Sequence, residues 1–104
     1  MISCIIVDDE PLALGQLEGY VSRLPDLKLL QSFSNAIKAL DYLYYNDVDL
    51  MFVDINMPDL SGMDFVKACE NPPKVIFTTA HREYAAEGFK VDAADYLLKP
   101  ISFT

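Results

Sequence analysis

Ile2-Ser-Cys-Ile-Ile-Val-Asp-Asp-Glu-Pro11 decides how the rest of the chain is read. A mostly β-branched apolar run ends abruptly in three acids. That profile suits a strand covered on both faces, as in a parallel sheet. Pro11 fits the first turn of a helix. Leu14, Leu17, Val21 and Leu24 then recur on one face through residues 11–24, and Pro25 ends that helix.

The same alternation continues outward. Leu27–Phe33 reads as a second strand. Ser34 or Asn35 can cap a helix to about Tyr45, with Ile37, Leu40 and Tyr44 on its inner stripe. Asp49–Ile55 is a third strand. Pro58 holds Met57 extended in the loop that follows. Ser61-Gly-Met-Asp64 resembles a capping box for a helix to about Glu70, and Asn71-Pro-Pro73 breaks it. Lys74–Thr79 is a fourth strand, His81–Val91 a short helix and Ala94–Leu98 a fifth strand before Lys99-Pro100. Strands that alternate with helices predict an α/β fold, a doubly wound sheet of five parallel strands joined by crossover helices. No repeat or linker divides residues 1–104, so one domain is expected.

Composition narrows the function. Of 104 residues, 16 are acidic and 8 basic, a net charge of −8. Such a chain has no electrostatic footprint for nucleic acid or an anionic membrane. With 52% hydrophobic residues it can form a core. Cys4 and Cys69 stand far apart with no metal-ligand spacing, which predicts two buried, reduced thiols. The N-terminus lacks the basic start and apolar length of a signal peptide, and no stretch is long enough for a membrane span. The expected location is cytoplasmic.

In an open parallel sheet, sites form beyond the carboxyl ends of the strands. Asp8, Asp9 and Glu10 follow the first strand, Asp54 ends the third, Thr78 and Thr79 end the fourth, and Lys99 follows the fifth. Each has an ordinary reading when taken singly. Asp8 or Asp9 could cap a helix, Asp54 a turn, Thr79 could be a strand residue and Lys99 a solvated one. Taken together, clustered carboxylates call for a cation. Oxygen ligands with a phosphate nearby suit Mg²⁺. With no Ser/His or Cys/His pair in the sequence, the fitting chemistry is phosphoryl transfer onto a carboxylate, assisted by Mg²⁺ and Lys99.

Ile5-Ile-Val-Asp-Asp-Glu-Pro11, Val53-Asp-Ile-Asn-Met-Pro58 with Gly62, Phe77-Thr-Thr-Ala80 and Asp95-Tyr-Leu-Leu-Lys-Pro100 occur in order along the chain. Together they resemble the receiver domain of bacterial two-component response regulators. The resemblance implies a flavodoxin-like strand order 2-1-3-4-5. It implies that Asp54 accepts a phosphoryl group from a sensor histidine kinase, with Mg²⁺ held by Asp8, Asp9, Asp54 and the backbone carbonyl of Asn56. Lys99, on a cis bond to Pro100, would pair with the phosphoryl oxygens. Thr79 and Tyr96 would act as the switch, and Asn56 and His81 would tune phosphoryl lifetime. The domain would be no enzyme in its own right but a phosphoacceptor that assists its own phosphorylation and dephosphorylation. The stretches around Thr79–Ala85 and Phe89–Ile101 resemble receivers joined to LytTR-type DNA-binding domains (LytR/AlgR-like), which implies a transcription regulator whose output domain lies outside this chain.

Receivers carry a fifth helix after Lys-Pro, and this sequence stops at Thr104. The expectation is an uncovered apolar sheet face, lower stability and association, including a homodimer through that face. Two other readings compete. A haloacid-dehalogenase-type Mg²⁺ phosphatase would need an acid two residues after its nucleophile, where Asn56 stands. A pseudo-receiver would lack one of Asp9, Asp54, Thr79 or Lys99, and all four are present.

Overall fold

The computed structural model describes residues 1–58, 60–79 and 95–98, and at Thr79 and 95–98 only the backbone. The order of elements is β1 (Ile2–Val7), α1 (Pro11–Ser22), β2 (Leu27–Phe33), α2 (Ala36–Tyr45), β3 (Leu50–Asp54), α3 (Gly62–Ala68), β4 (Lys74–Thr79) and β5 (Asp95–Leu98). The expected helix over 81–91 lies outside the described residues, as does everything after Leu98. Four strands form a parallel sheet in the order β2-β1-β3-β4, and β5 pairs in parallel along the outer side of β4.

Helices cover both faces of the sheet, which explains why its inner strands are apolar at nearly every position. Cys4, Ile6 and Phe52 point to α1 and meet Leu17 and Val21. Ile5, Val7, Met51, Val53, Val75 and Phe77 point the other way, into a larger core with Ala36 and Ala39 of α2 and Phe65 and Val66 of α3. Successive side chains of a strand face opposite sides, so β1, β3 and β4 each feed both cores. β2 lies at the sheet edge and of its seven residues only Phe33 is buried, which accounts for its weaker apolar pattern.

Several local expectations need correction. α1 stops at Ser22 rather than Leu24 because Arg23 and Leu24 donate to Tyr20 and Val21, three residues back, tightening the last turn. The inner stripe of α2 is not Ile37, Leu40 and Tyr44. Ile37 is 59% and Tyr44 78% exposed, while Ala36 and Ala39 are buried and Leu40 and Leu43 pack beside them. Both stripes satisfy helical spacing, and the one carrying alanines lets the helix axis lie closer to the sheet. Finally, Cys4 is buried as expected, but Cys69 is only half-buried. Both thiols are free, and burial pushes both above the ordinary cysteine pKa.

Among the described helices, the caps of α2 and α3 follow the sequence. The Asn35 side chain accepts from the backbone N–H groups of Ile37 and Lys38 at 2.8 and 3.1 Å. Ser61 Oγ accepts from Asp64 N at 3.2 Å. α3 ends at Ala68, short of the expected Glu70.

Candidate functional site

The register of β1 on β3 builds the site. Val7 pairs with Val53, so Asp8, just past β1, and Asp54, the last residue of β3, stand side by side at this edge. Asp8 is fully buried and Asp54 is 4% exposed; Asp9 is half-buried. Carboxylate oxygens of the three residues lie within 4.8 Å of one another.

Backbone N–H groups hold two of these carboxylates in place. Asp8 N donates to the Phe33 carbonyl at 2.9 Å, tying the end of β1 to the end of β2. Asp8 Oδ1 in turn accepts from Glu10 N at 2.9 Å. Asp54 Oδ1 accepts from Asn56 N at 3.2 Å. The capping role that Asp8 or Asp9 could have taken is not the one observed. Glu10 occupies the N-cap of α1 and makes no side-chain cap bond, and the first turn carries no acid. The carboxylates belong to the cluster rather than to the helix.

β4 completes the described part of this edge. Thr78 pairs with Asp54 across the sheet, and its carbonyl accepts from Ile55 N at 3.0 Å. Thr78 is fully buried, and its Oγ1 has no hydrogen-bond partner among the described residues. Thr79 is the next residue, the last of β4. Asn56 is exposed at the mouth of the cluster. The side chains of Thr79 and Tyr96, and all of His81 and Lys99, lie outside the described residues.

Gly62 is a positioning residue whose reason the sequence did not disclose. Its N–H donates to the Ile55 carbonyl at 2.8 Å. A Cβ there would collide with the Asp54 carbonyl oxygen and stand 2.9 Å from Ile55 Cα. The start of α3 is thus pressed against the backbone that carries Asp54. The motif around Asp54 marked Gly62 as notable, but the close approach exists only in the folded chain.

Chemically, three carboxylates this close, two of them buried, form an oxygen-only donor set whose mutual repulsion a hard divalent cation relieves. The donors fit Mg²⁺ on type, charge and proximity.

The family follows from this arrangement and from comparison. Residues 4–104 match the response regulator receiver domain, and the chain belongs to that family, a signalling domain of response regulators. It is 40% identical over 99 residues to the sensory transduction protein LytR of Staphylococcus saprophyticus, covering 92% of this chain and 39% of that protein. It is 40% identical over 103 residues to the transcriptional regulatory protein BtsR of Escherichia coli, covering 97% of this chain and 43% of that protein. The chain therefore spans about two fifths of the length of these relatives. Among solved structures, the response regulatory domain of mrkE from Klebsiella pneumoniae superposes with a TM-score of 0.85 at 35% identity, covering 97% of this chain and 85% of that one. Among the described residues no helix is long and apolar enough to cross a membrane.

Proposed function

We propose that Asp54 is the phosphoacceptor of this domain. A sensor histidine kinase presents a phosphohistidine, and an Asp54 carboxylate oxygen attacks its phosphorus. The P–N bond breaks as the P–O bond forms, and the released imidazole takes up a proton from solvent. The observation that carries this reading is the cluster itself: Asp54 is nearly buried at a strand end, with Asp8 and Asp9 beside it. Asp8, Asp9 and Asp54, with the Asn56 carbonyl, would hold Mg²⁺, which when bound offsets negative charge on the transferring oxygens.

The chain's own groups do the remaining work. The Asn56 N–H donates to Asp54 Oδ1 and helps fix its rotamer, and Glu10 N does the same for Asp8 through its Oδ1. Thr79, beside Asp54 at the end of β4, is assigned to the phosphoryl group as a switch together with Tyr96. Lys99 neutralises the charge left on Asp54. Asn56 and His81 set access of the hydrolytic water, Asn56 from its exposed position at the mouth. The two curated relatives are a sensory transduction protein and a transcriptional regulatory protein. On that basis the phosphorylated domain controls a DNA-binding output elsewhere in a longer, cytoplasmic protein.

Incubation with a small phosphodonor and Mg²⁺, followed by intact-mass analysis, tests this. One added phosphoryl group, absent in Asp54→Ala and without added Mg²⁺, is the expected result. Turnover of a phosphoester without accumulation would instead mean a phosphatase. A folded protein with unchanged mass would mean an interaction module.

A further inference from the structure

At the end of the sheet away from the acid cluster, α2 and α3 leave an open groove of about 670 Å³. Its floor is apolar: Leu40, Leu43 and Val48 are half-buried against the larger core. Tyr44 stands on its wall, 78% exposed, its ring edge-on to that of Tyr45 at 5.0 Å between centroids. Asp47 and Glu70 are exposed on its rim, and among the described residues no basic one lines it.

Backbone polarity adds to that charge. α2 and α3 follow parallel strands, and both end at this groove, at the caps Asn46 and Cys69. Helix C-termini carry partial negative charge from their last carbonyls. α2 has no basic residue in its last turn to offset it, whereas Lys67 lies in the last turn of α3 and Cys69 bonds the Phe65 and Val66 carbonyls there. Asn46 Nδ2 partners only one of the last carbonyls of α2, that of Tyr42, at 2.9 Å. Two acids, the C-terminus of α2 and an exposed tyrosine around an apolar floor describe a receptor for a cation with an apolar body.

We propose that this groove docks a segment of a partner protein that presents an arginine or lysine side chain among apolar residues. The apolar neighbours cover Leu40, Leu43 and Val48, and the cation sits between Asp47, Glu70 and the ring of Tyr44. β3 spans roughly 13 Å from this end to Asp54, so the occupant need not touch the acid cluster.

The probe is a fluorescein-labelled hexapeptide of alternating leucine and arginine, measured by fluorescence anisotropy with saturating Mg²⁺ and at about 0.15 M salt, where long-range attraction to an acidic surface is screened. The comparison peptide carries citrulline for arginine, which keeps the shape and hydrogen bonding but removes the charge. Binding by the arginine peptide should weaken about tenfold or more in the double variant Asp47→Asn/Glu70→Gln and with citrulline. It should stay unchanged in Asp26→Asn, which removes an exposed acid that does not line the groove. Amide shifts in two-dimensional NMR should concentrate at residues 40–48 and 68–73. Equal affinity for the citrulline peptide, equal affinity in the double variant, or shifts centred on Asp8, Asp9 and Asp54 would each overturn the proposal. The rim substitutions are at exposed positions, and an unchanged circular dichroism spectrum confirms that the fold is kept.

Discussion

Gly62 is held where no side chain fits, and two other glycines make the comparison. Gly62→Ala gains at most about 1 kcal/mol of helix propensity. Its Cβ, however, meets the backbone of Asp54 and Ile55, which cannot move aside as a flexible side chain would. Overpacking of this kind costs about 1–3 kcal/mol, so the net effect is destabilising. Gly15 and Gly19 lie within α1, where an added methyl group would meet nothing within 4 Å. Gly15→Ala and Gly19→Ala should each stabilise by up to about 1 kcal/mol. Urea unfolding midpoints of the three variants decide whether the signs are as stated. A second residue-scale feature is Asp49. Ser3 N and Ser3 Oγ donate to its Oδ2 at 3.0 and 3.1 Å, and these bonds, the backbone one first, hold its pKa below the ordinary value near 3.8. A depressed carboxylate stabilises the fold above its unfolded pKa, and that contribution is lost as pH falls through the folded pKa. Of the bonds to the carboxylate, Ser3→Ala removes only that from the hydroxyl, which also accepts from Asp49 N at 3.1 Å, so the Asp49 pKa should rise part of the way to its ordinary value. NMR titration of the Asp49 carboxyl carbon reads this directly, and an unmoved titration would show that the backbone bond alone sets it.

Among elements, α1 and α2 begin differently. Asn35 satisfies two otherwise open N–H groups of α2, whereas Glu10 makes no side-chain cap bond at α1. Asn35→Ala should therefore cost about 1 kcal/mol, and Glu10→Ala should lose no cap energy. Chemical unfolding of both variants separates these outcomes. The caps of α2 and α3 were legible in the sequence because a cap is a local bond between near neighbours. The inner face of α2 was not. Ile37 and Tyr44 have the right spacing for a core stripe, yet alanines at 36 and 39 take the core side, since only contact with the sheet distinguishes one stripe from its neighbour. The half-burial of Cys69 has the same origin. It follows the last turn of α3, where the groove to α2 opens.

For the whole molecule, the acid cluster predicts a measurable effect on stability. Bringing Asp8, Asp9 and Asp54 together should make the cation-free domain less stable than its Asp54→Asn variant by on the order of 1–3 kcal/mol. A cation held by this cluster would bind the folded state alone, so Mg²⁺ at a hundred times its Kd should add about 2.7 kcal/mol to the wild type. In Asp54→Asn that gain should shrink. Urea unfolding with and without MgCl₂ measures both quantities, and a wild type indifferent to Mg²⁺ would remove the cation from the account of the site.

By itself the sequence determined the alternation of strands and helices, the burial of the inner strands on both faces, and the placing of acids at the ends of β1 and β3. These are local matters: hydrophobic period, caps and prolines report how each short segment meets water and its own backbone. Only the tertiary structure decided that Asp8 and Asp9 meet Asp54. β1 has β3 as one neighbour and β2 as the other, and pairing of Val7 with Val53 delivers the two acids to one edge. It also decided that α3 starts hard against the Asp54 backbone, and that α2 and α3 end around a shared acidic groove. Contacts between distant segments depend on which strands become neighbours. The packing of the whole sheet makes that choice, and no single segment carries it.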